Sequence, residues 1–96
     1  MKPILISHRG NTNGPDQNIE NNPIHLKRTL KKYHCEVDLW RKDGHLYLGH
    51  DMPQYKITMR FINAFHMRLW IHCKNLDALC FMNGLHANLN YFWNQN

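Results

Sequence analysis

Ninety-six residues, 43% hydrophobic and 20% charged, make one small globular domain with a modest core and exclude a disordered chain. The formal net charge of +5 favours anionic partners: phosphate-bearing substrates, nucleic acid or an anionic membrane surface. Cys35, Cys73 and Cys80 form no CxxC pair and are odd in number, which argues against a disulfide framework and for a reducing compartment.

The opening stretch, MKPILIS, has one lysine and an apolar run too short for a signal-peptide core or a spanning helix. A cytoplasmic chain with no transmembrane segment is therefore expected. Within it PILIS is continuously apolar, as in a strand buried on both faces of a parallel sheet. HRGNTNGPDQN follows, and its Gly, Asn and Pro content predicts a long loop. Asn22 then reads as an N-cap with Pro23 at the first helical position. Leu26, Leu30 and Tyr33 continue at helical spacing, and Lys31 and Lys32 suit the negative end of the helix dipole.

CEVDLW reads as the second strand, with Glu36, Asp38 and Trp40 on one face and Val37 and Leu39 on the other. RKDG predicts a tight hairpin at Asp43-Gly44, and HLYLG returns as a short strand that delivers His50-Asp51. Phe61, Ile62 and Phe65 predict a brief helix from about Met59 to Phe65, capped by Thr58. RLWIHCK reads as a third buried strand. Asn75 caps a helix over LDALCFM, Gly84 is placed as its left-handed C-terminal residue, and ANLNYFW reads as a fourth strand. The alternation of strands and helices predicts a single α/β domain over residues 1–96 with a parallel sheet. The last strand has no following helix, so the pattern is expected to be incomplete.

Two neighbouring acids on one face of a buried strand repel each other and resist desolvation, so a positive group is expected between them. In parallel α/β folds ligands bind at the C-terminal ends of the strands. His8 and Arg9 end the first strand, Glu36 and Asp38 lie on the second, His50 ends the hairpin, and His72 and Lys74 end the third. Singly, each has an ordinary explanation: a solvated strand end, a cross-sheet ion pair, an Asp-stabilised turn, or a core histidine bonded to a main-chain carbonyl. Their joint placement at strand ends points to a site.

SHRGN, IENN, CEVDLW, KDGHLYLGHD and WIHCKN together resemble the glycerophosphodiester phosphodiesterase family in order and spacing, over roughly Ile4 to Asn75. The resemblance implies a TIM-like barrel and metal-dependent hydrolysis of a phosphoric diester. It makes Glu36 and Asp38 ligands of Mg²⁺ or Ca²⁺, whose charge would cancel the repulsion between the acids. His8 and His50 become the acid/base pair, one assisting attack on phosphorus and the other protonating the leaving alkoxide. Arg9 would hold phosphate oxygens through its forked donors, with Lys74 adding positive charge. Glu20 matches the family's Glu-Asn acid, in a positioning role or a distant metal contact.

Two departures stand out. Where the family carries an acidic metal ligand in an E-x-K motif, this chain has HCK. His72 takes that place and shifts the preference toward Mn²⁺ or Zn²⁺. A complete barrel takes ~250 residues, so the expected architecture is the N-terminal half of a (β/α)8 barrel, about four parallel strands with intervening helices. The implied ligand is a phosphodiester small molecule or a phospholipid headgroup. Phosphatidylinositol-specific phospholipase C-like or sphingomyelinase D-like chemistry is the nearest enzymatic alternative. An inactive barrel fragment or a small basic nucleic-acid-binding module are the others. Nucleic acid is not the expected partner, because the basic residues form no single stripe and the aromatics fall at core spacing. Open sheet edges offer a route to self-association.

Overall fold

The computed structural model describes residues 6–8, 20–85 and 88–93, the first three as backbone only. Nine elements follow in chain order: β1 (Ile6–His8), α1 (Pro23–Thr29), β2 (His34–Lys42), β3 (His45–Leu48), β4 (Tyr55–Ile57), α2 (Met59–Phe65), β5 (Leu69–Cys73), α3 (Leu76–Gly84) and β6 (Asn90–Trp93). They build a mixed six-stranded sheet ordered β4-β3-β2-β5-β6, with β1 paired to β2 off that path.

β2 organises the sheet because it is the longest strand and pairs along both edges. On one edge it runs parallel to β5, from Cys35 opposite Leu69 to Leu39 opposite Cys73. Its other edge is shared. β1 pairs in parallel with its start, from Ile6 opposite His34 to His8 opposite Glu36. β3 pairs antiparallel with its end, from Leu39 opposite Leu48 to Lys42 opposite His45. β6 runs parallel to β5, and β4 antiparallel to β3.

Side-chain alternation gives this sheet one dry face. Cys35, Val37 and Leu39 of β2 and Leu69, Ile71 and Cys73 of β5 are buried together with Leu46, Leu48 and Ile57. All three helices feed the same core: Leu26 from α1, Phe61 and Ile62 from α2, and Ala78 and Met82 from α3. Complete burial of a side chain such as Leu26 stabilises the fold by about 2 kcal/mol relative to exposure. The opposite face carries His34, Glu36, Asp38 and Trp40 of β2, Trp70 and His72 of β5, and Asn90 and Phe92 of β6. Apart from Asp38, these side chains are half-buried or exposed.

The helices begin where local chemistry allows. Asn22 Oδ1 accepts hydrogen bonds from the backbone N–H groups of Ile24 (3.0 Å) and His25 (3.4 Å), and Pro23 occupies the first turn, where its missing N–H costs nothing. Asn75 Oδ1 likewise accepts from Ala78 N–H at 3.0 Å at the start of α3. Thr58 precedes α2 in an extended conformation but makes no side-chain capping bond. Gly84 ends α3 within the helix, and Leu85, right-handed, closes it. The expected left-handed glycine is therefore not there.

The expected half of a (β/α)8 barrel, with about four parallel strands, is corrected by this topology. The sheet is mixed, with antiparallel β3 and β4 extending it beyond β2. The cause is local. Asp43 (φ 52°) and Gly44 (φ 79°) are successive left-handed residues, the pattern of a tight hairpin turn. They reverse the chain within two residues, so β3 must return antiparallel. Gln54 N–H then donates to Leu48 O at 3.0 Å, which turns the chain back again into β4. The three-residue β4 was not expected from the sequence.

Candidate functional site

The sheet register gathers the polar residues of the open face into two adjacent rows. In one, Glu36 lies opposite His8 of β1 and Trp70 of β5, and Trp70 lies opposite Asn90 of β6. In the next, Asp38 lies opposite His72, and His72 opposite Phe92. Residues 8, 36, 38 and 72 thus become neighbours because β1, β2 and β5 run parallel in this register.

Asp38 is the buried centre of these rows, only 1% exposed. Removing a carboxylate from water is costly unless polar partners replace its hydration. Asn21 supplies one: its Nδ2 donates to Asp38 Oδ2 at 3.0 Å, and its Oδ1 accepts from the Asp38 backbone N–H at 2.9 Å. Asn21 is itself fully buried and left-handed, with φ 59°. It occupies the point where β1 has stopped pairing at Glu36 and β3 has not begun until Leu39. An asparagine side chain there takes the Asp38 N–H that a neighbouring strand would otherwise bond.

The other oxygen, Asp38 Oδ1, lies 3.3 Å from His72 Nδ1. The contact is close enough for an ion pair when the imidazole is charged, but it is not a hydrogen bond. The His72 ring stacks on Phe92, with centroids 5.0 Å apart and planes 4° from parallel, which fixes its orientation. Its Nε2 has no hydrogen-bond partner among the described residues, and the side chain is 19% exposed.

His50 reaches the same end of β2 by way of the hairpin. Gly49 N–H donates to Asp38 O at 3.1 Å, and Trp40 Nε1 donates to Gly49 O at 2.7 Å. A side chain at position 49 would collide with the carbonyl oxygen of Met52, so the bend needs glycine. His50 Nδ1 then lies 2.8 Å from Asp51 Oδ1, with the imidazole 41% exposed. Lys74 is anchored beside the rows through its backbone N–H, which donates to Leu39 O at 2.8 Å.

Glu20 lies at the edge of the described region, half-buried. His8 is described as backbone only, and Arg9 lies outside the described residues. The donor types at Glu36, Asp38 and His72, two carboxylates and an imidazole, suit a divalent cation. Among the described residues no three His, Cys, Asp or Glu side chains are gathered closely enough to hold one. The thiols take no part. Cys35 and Cys73 are buried on the opposite, apolar face, and burial pushes their pKa values up to about 12 and about 11, far from a reactive thiolate.

Two contributors were missed in the sequence. Asn21 stands beside the Glu20 that drew attention, in IENN, and its signal was an asparagine directly before an N-cap, where a left-handed residue is tolerated. Phe92 reads as one more apolar residue of the last strand until the register sets it against His72. No family model, curated protein or solved structure matches this chain.

Proposed function

We propose that the polar face of the sheet binds and hydrolyses a phosphoric diester, such as a glycerophosphodiester or a phospholipid headgroup, with the help of a divalent cation. The observation that supports this reading best is the register. It aligns Glu36 with His8 and Asp38 with His72 in adjacent rows of one open face, while the opposite face is sealed by the helices. The likeness of SHRGN, CEVDLW and GHD to phosphodiesterase motifs supports the same assignment.

In this reading His8 and His50 exchange protons with the reacting oxygens. One accepts a proton from the attacking water as the new P–O bond forms, and the other donates a proton to the leaving alkoxide as the old P–O bond breaks. Arg9 and Lys74 hold the phosphate oxygens. The cation would draw its ligands from Glu36, Asp38 and His72, which are not gathered closely enough to hold it as they stand, and when bound it would offset carboxylate and phosphate charge. Asp51 orients His50 through their 2.8 Å contact. No described helix is long and apolar enough to cross a membrane, and the free thiols accord with the cytoplasmic setting proposed for this activity.

The test is calorimetric titration with Mg²⁺, Ca²⁺, Mn²⁺ and Zn²⁺, followed by hydrolysis of bis(4-nitrophenyl) phosphate with the cation that binds. Glu36→Gln should weaken cation binding at least tenfold. His50→Gln should leave cation binding intact and lower hydrolysis at least a hundredfold, in the range for losing a general acid or base. A chain that binds none of the four cations, or hydrolyses equally well as Glu36→Gln, would refute the reading.

A further inference from the structure

We infer that the outer side of α1 and α2 is a docking surface for an anionic membrane: two cationic stripes, each bearing an exposed aliphatic side chain, meet there around an open groove. The surface is separate from the polar face of the sheet and does not depend on the phosphodiester reading.

Six of the chain's 12 lysines and arginines fall in two separated segments, 27–32 and 60–68. No aspartate or glutamate occurs from Asn21 to Cys35 or from Met52 to Leu76. Helical spacing sorts each segment into a buried and an outer side. In α1, Leu26, Thr29 and Leu30 are buried, while Ile24, Lys27, Arg28 and Lys31 are all exposed. The turn persists beyond α1, since Tyr33 N–H donates to Thr29 O at 2.8 Å, so Lys31 continues the stripe. In α2, Phe61 and Ile62 are buried, while Arg60, Asn63, Ala64 and then Met67 are exposed at the same spacing. Arg68 joins the two stripes. Its Nη1 donates to Leu30 O at 3.1 Å and to Lys31 O at 2.6 Å. An open groove of about 210 Å³ lies at this junction, with Leu30, Phe65, Met67 and Arg68 among its walls.

Cations often gather at a helix C-terminus because its carbonyls are negative, but that end carries only about half an elementary charge. Arg68 already answers it by bonding two of those carbonyls. Lys27, Arg28, Lys31 and Lys32 are in excess, and no ion pair joins any of the six cations to a carboxylate among the described residues. A cationic surface of this kind attracts an anionic partner. The aliphatic side chains select which one. Met67 is 75% exposed and Ile24 69%, and a lipid surface accepts such side chains where a phosphate backbone has no use for them. Tyr33 and Phe65, the aromatic residues flanking the stripes, are half-buried rather than presented for stacking on bases. Lysine and arginine beside exposed aliphatic side chains on short amphipathic helices suit the headgroup boundary of an anionic bilayer. The groove lies beside the starts of β2 and β5, whereas His72 and Lys74 stand at the far end of β5.

The test is cosedimentation of the full chain with vesicles of phosphatidylcholine, alone or mixed in equal parts with phosphatidylserine. Binding is expected only where phosphatidylserine is present, and it should weaken as salt is raised. A basic residue close to an anionic surface raises affinity roughly fivefold. Lys31→Gln should therefore lose about fivefold, and Lys27→Gln combined with Lys31→Gln about twenty-five-fold. Lys42→Gln removes the same charge from the end of β2 and should bind as the wild-type chain does. Met67→Gln leaves the charge unchanged and should bind severalfold more weakly, because its apolar contact with the bilayer is lost. No binding to the phosphatidylserine vesicles, equal losses in Lys31→Gln and Lys42→Gln, or wild-type affinity in Met67→Gln would each overturn the inference. Tighter binding to a polyuridine strand than to the vesicles, weakened by the same lysine substitutions, would assign the surface to nucleic acid and overturn it as well.

Discussion

At the scale of single residues, Asp38 is where sequence and structure meet most closely. Alternation in CEVDLW separates Glu36, Asp38 and Trp40 from Val37 and Leu39, and the burial of Val37 and Leu39 in the core follows that division. The sequence does not show that Asp38 is far more buried than Glu36. That difference comes from Asn21, which reaches it across 17 positions of chain, and from the register with His72. Asp38→Ala should therefore be costly. It strands the Asn21 amide, a buried donor whose desolvation costs about 1–3 kcal/mol, and leaves a small cavity besides. A loss of roughly 2–4 kcal/mol in urea-unfolding stability is expected. A change below about 1 kcal/mol would mean that the reciprocal Asn21–Asp38 pair contributes little.

At the scale of elements, the caps separate what a motif announces from what it does. Asn75 and Thr58 both stand at helix starts, and sequence rules treat them alike. Asn75 Oδ1 accepts from Ala78 N–H at 3.0 Å and from Arg41 N–H at 3.2 Å, while its Nδ2 donates to Arg41 O at 2.8 Å. It thus caps α3 and ties it to the end of β2. An ion pair from Arg41 to Asp77 (2.8 Å) and the stacking of Arg41 on Phe81 reinforce the junction. Thr58 makes no such bond. Asn75→Ala should cost about 2–3 kcal/mol, one cap plus two further hydrogen bonds. Thr58→Ala should cost less than about 0.5 kcal/mol, as surface substitutions usually do. Equal costs by chemical denaturation would show that the Arg41 junction is not what makes Asn75 matter. β4 escaped notice for a related reason: YKI is too short for a periodic signal, and its pairing with β3 depends on the bend at Gly49, where Gly49→Ala should disrupt the path to His50. A glycine near a helix end, such as Gly84, suggests a left-handed cap, yet this helix runs through it and closes on Leu85.

At the scale of the whole molecule, strand-helix alternation correctly conveyed an α/β sheet with parallel β1, β2, β5 and β6. It could not convey the antiparallel extension through β3 and β4, because the hairpin and the bend after it reset strand direction locally. The resulting division of the sheet, sealed on one face and open on the other, has a pH signature. Cys35 and Cys73 face the sealed core, and burial raises their pKa values from 9.0 to about 12 and about 11. An unfolded chain releases those protons once the pH passes about 9, while the folded chain keeps them. The unfolded state then binds fewer protons than the native one, so stability is full below pH 9 and falls as the pH climbs toward 11–12. Other groups titrate in that range, so the informative quantity is the stability difference between the wild-type chain and Cys35→Ala, which lacks the most strongly shifted thiol. That difference should narrow steadily from pH 8 to pH 11. At pH 8 the exposed Cys80 should react quickly with a thiol-directed disulfide reagent, and the two core thiols only on unfolding. A constant stability difference, or three thiols labelled at one rate, would mean that the apolar face is open to water and that the sealed-and-open division of this sheet is wrong.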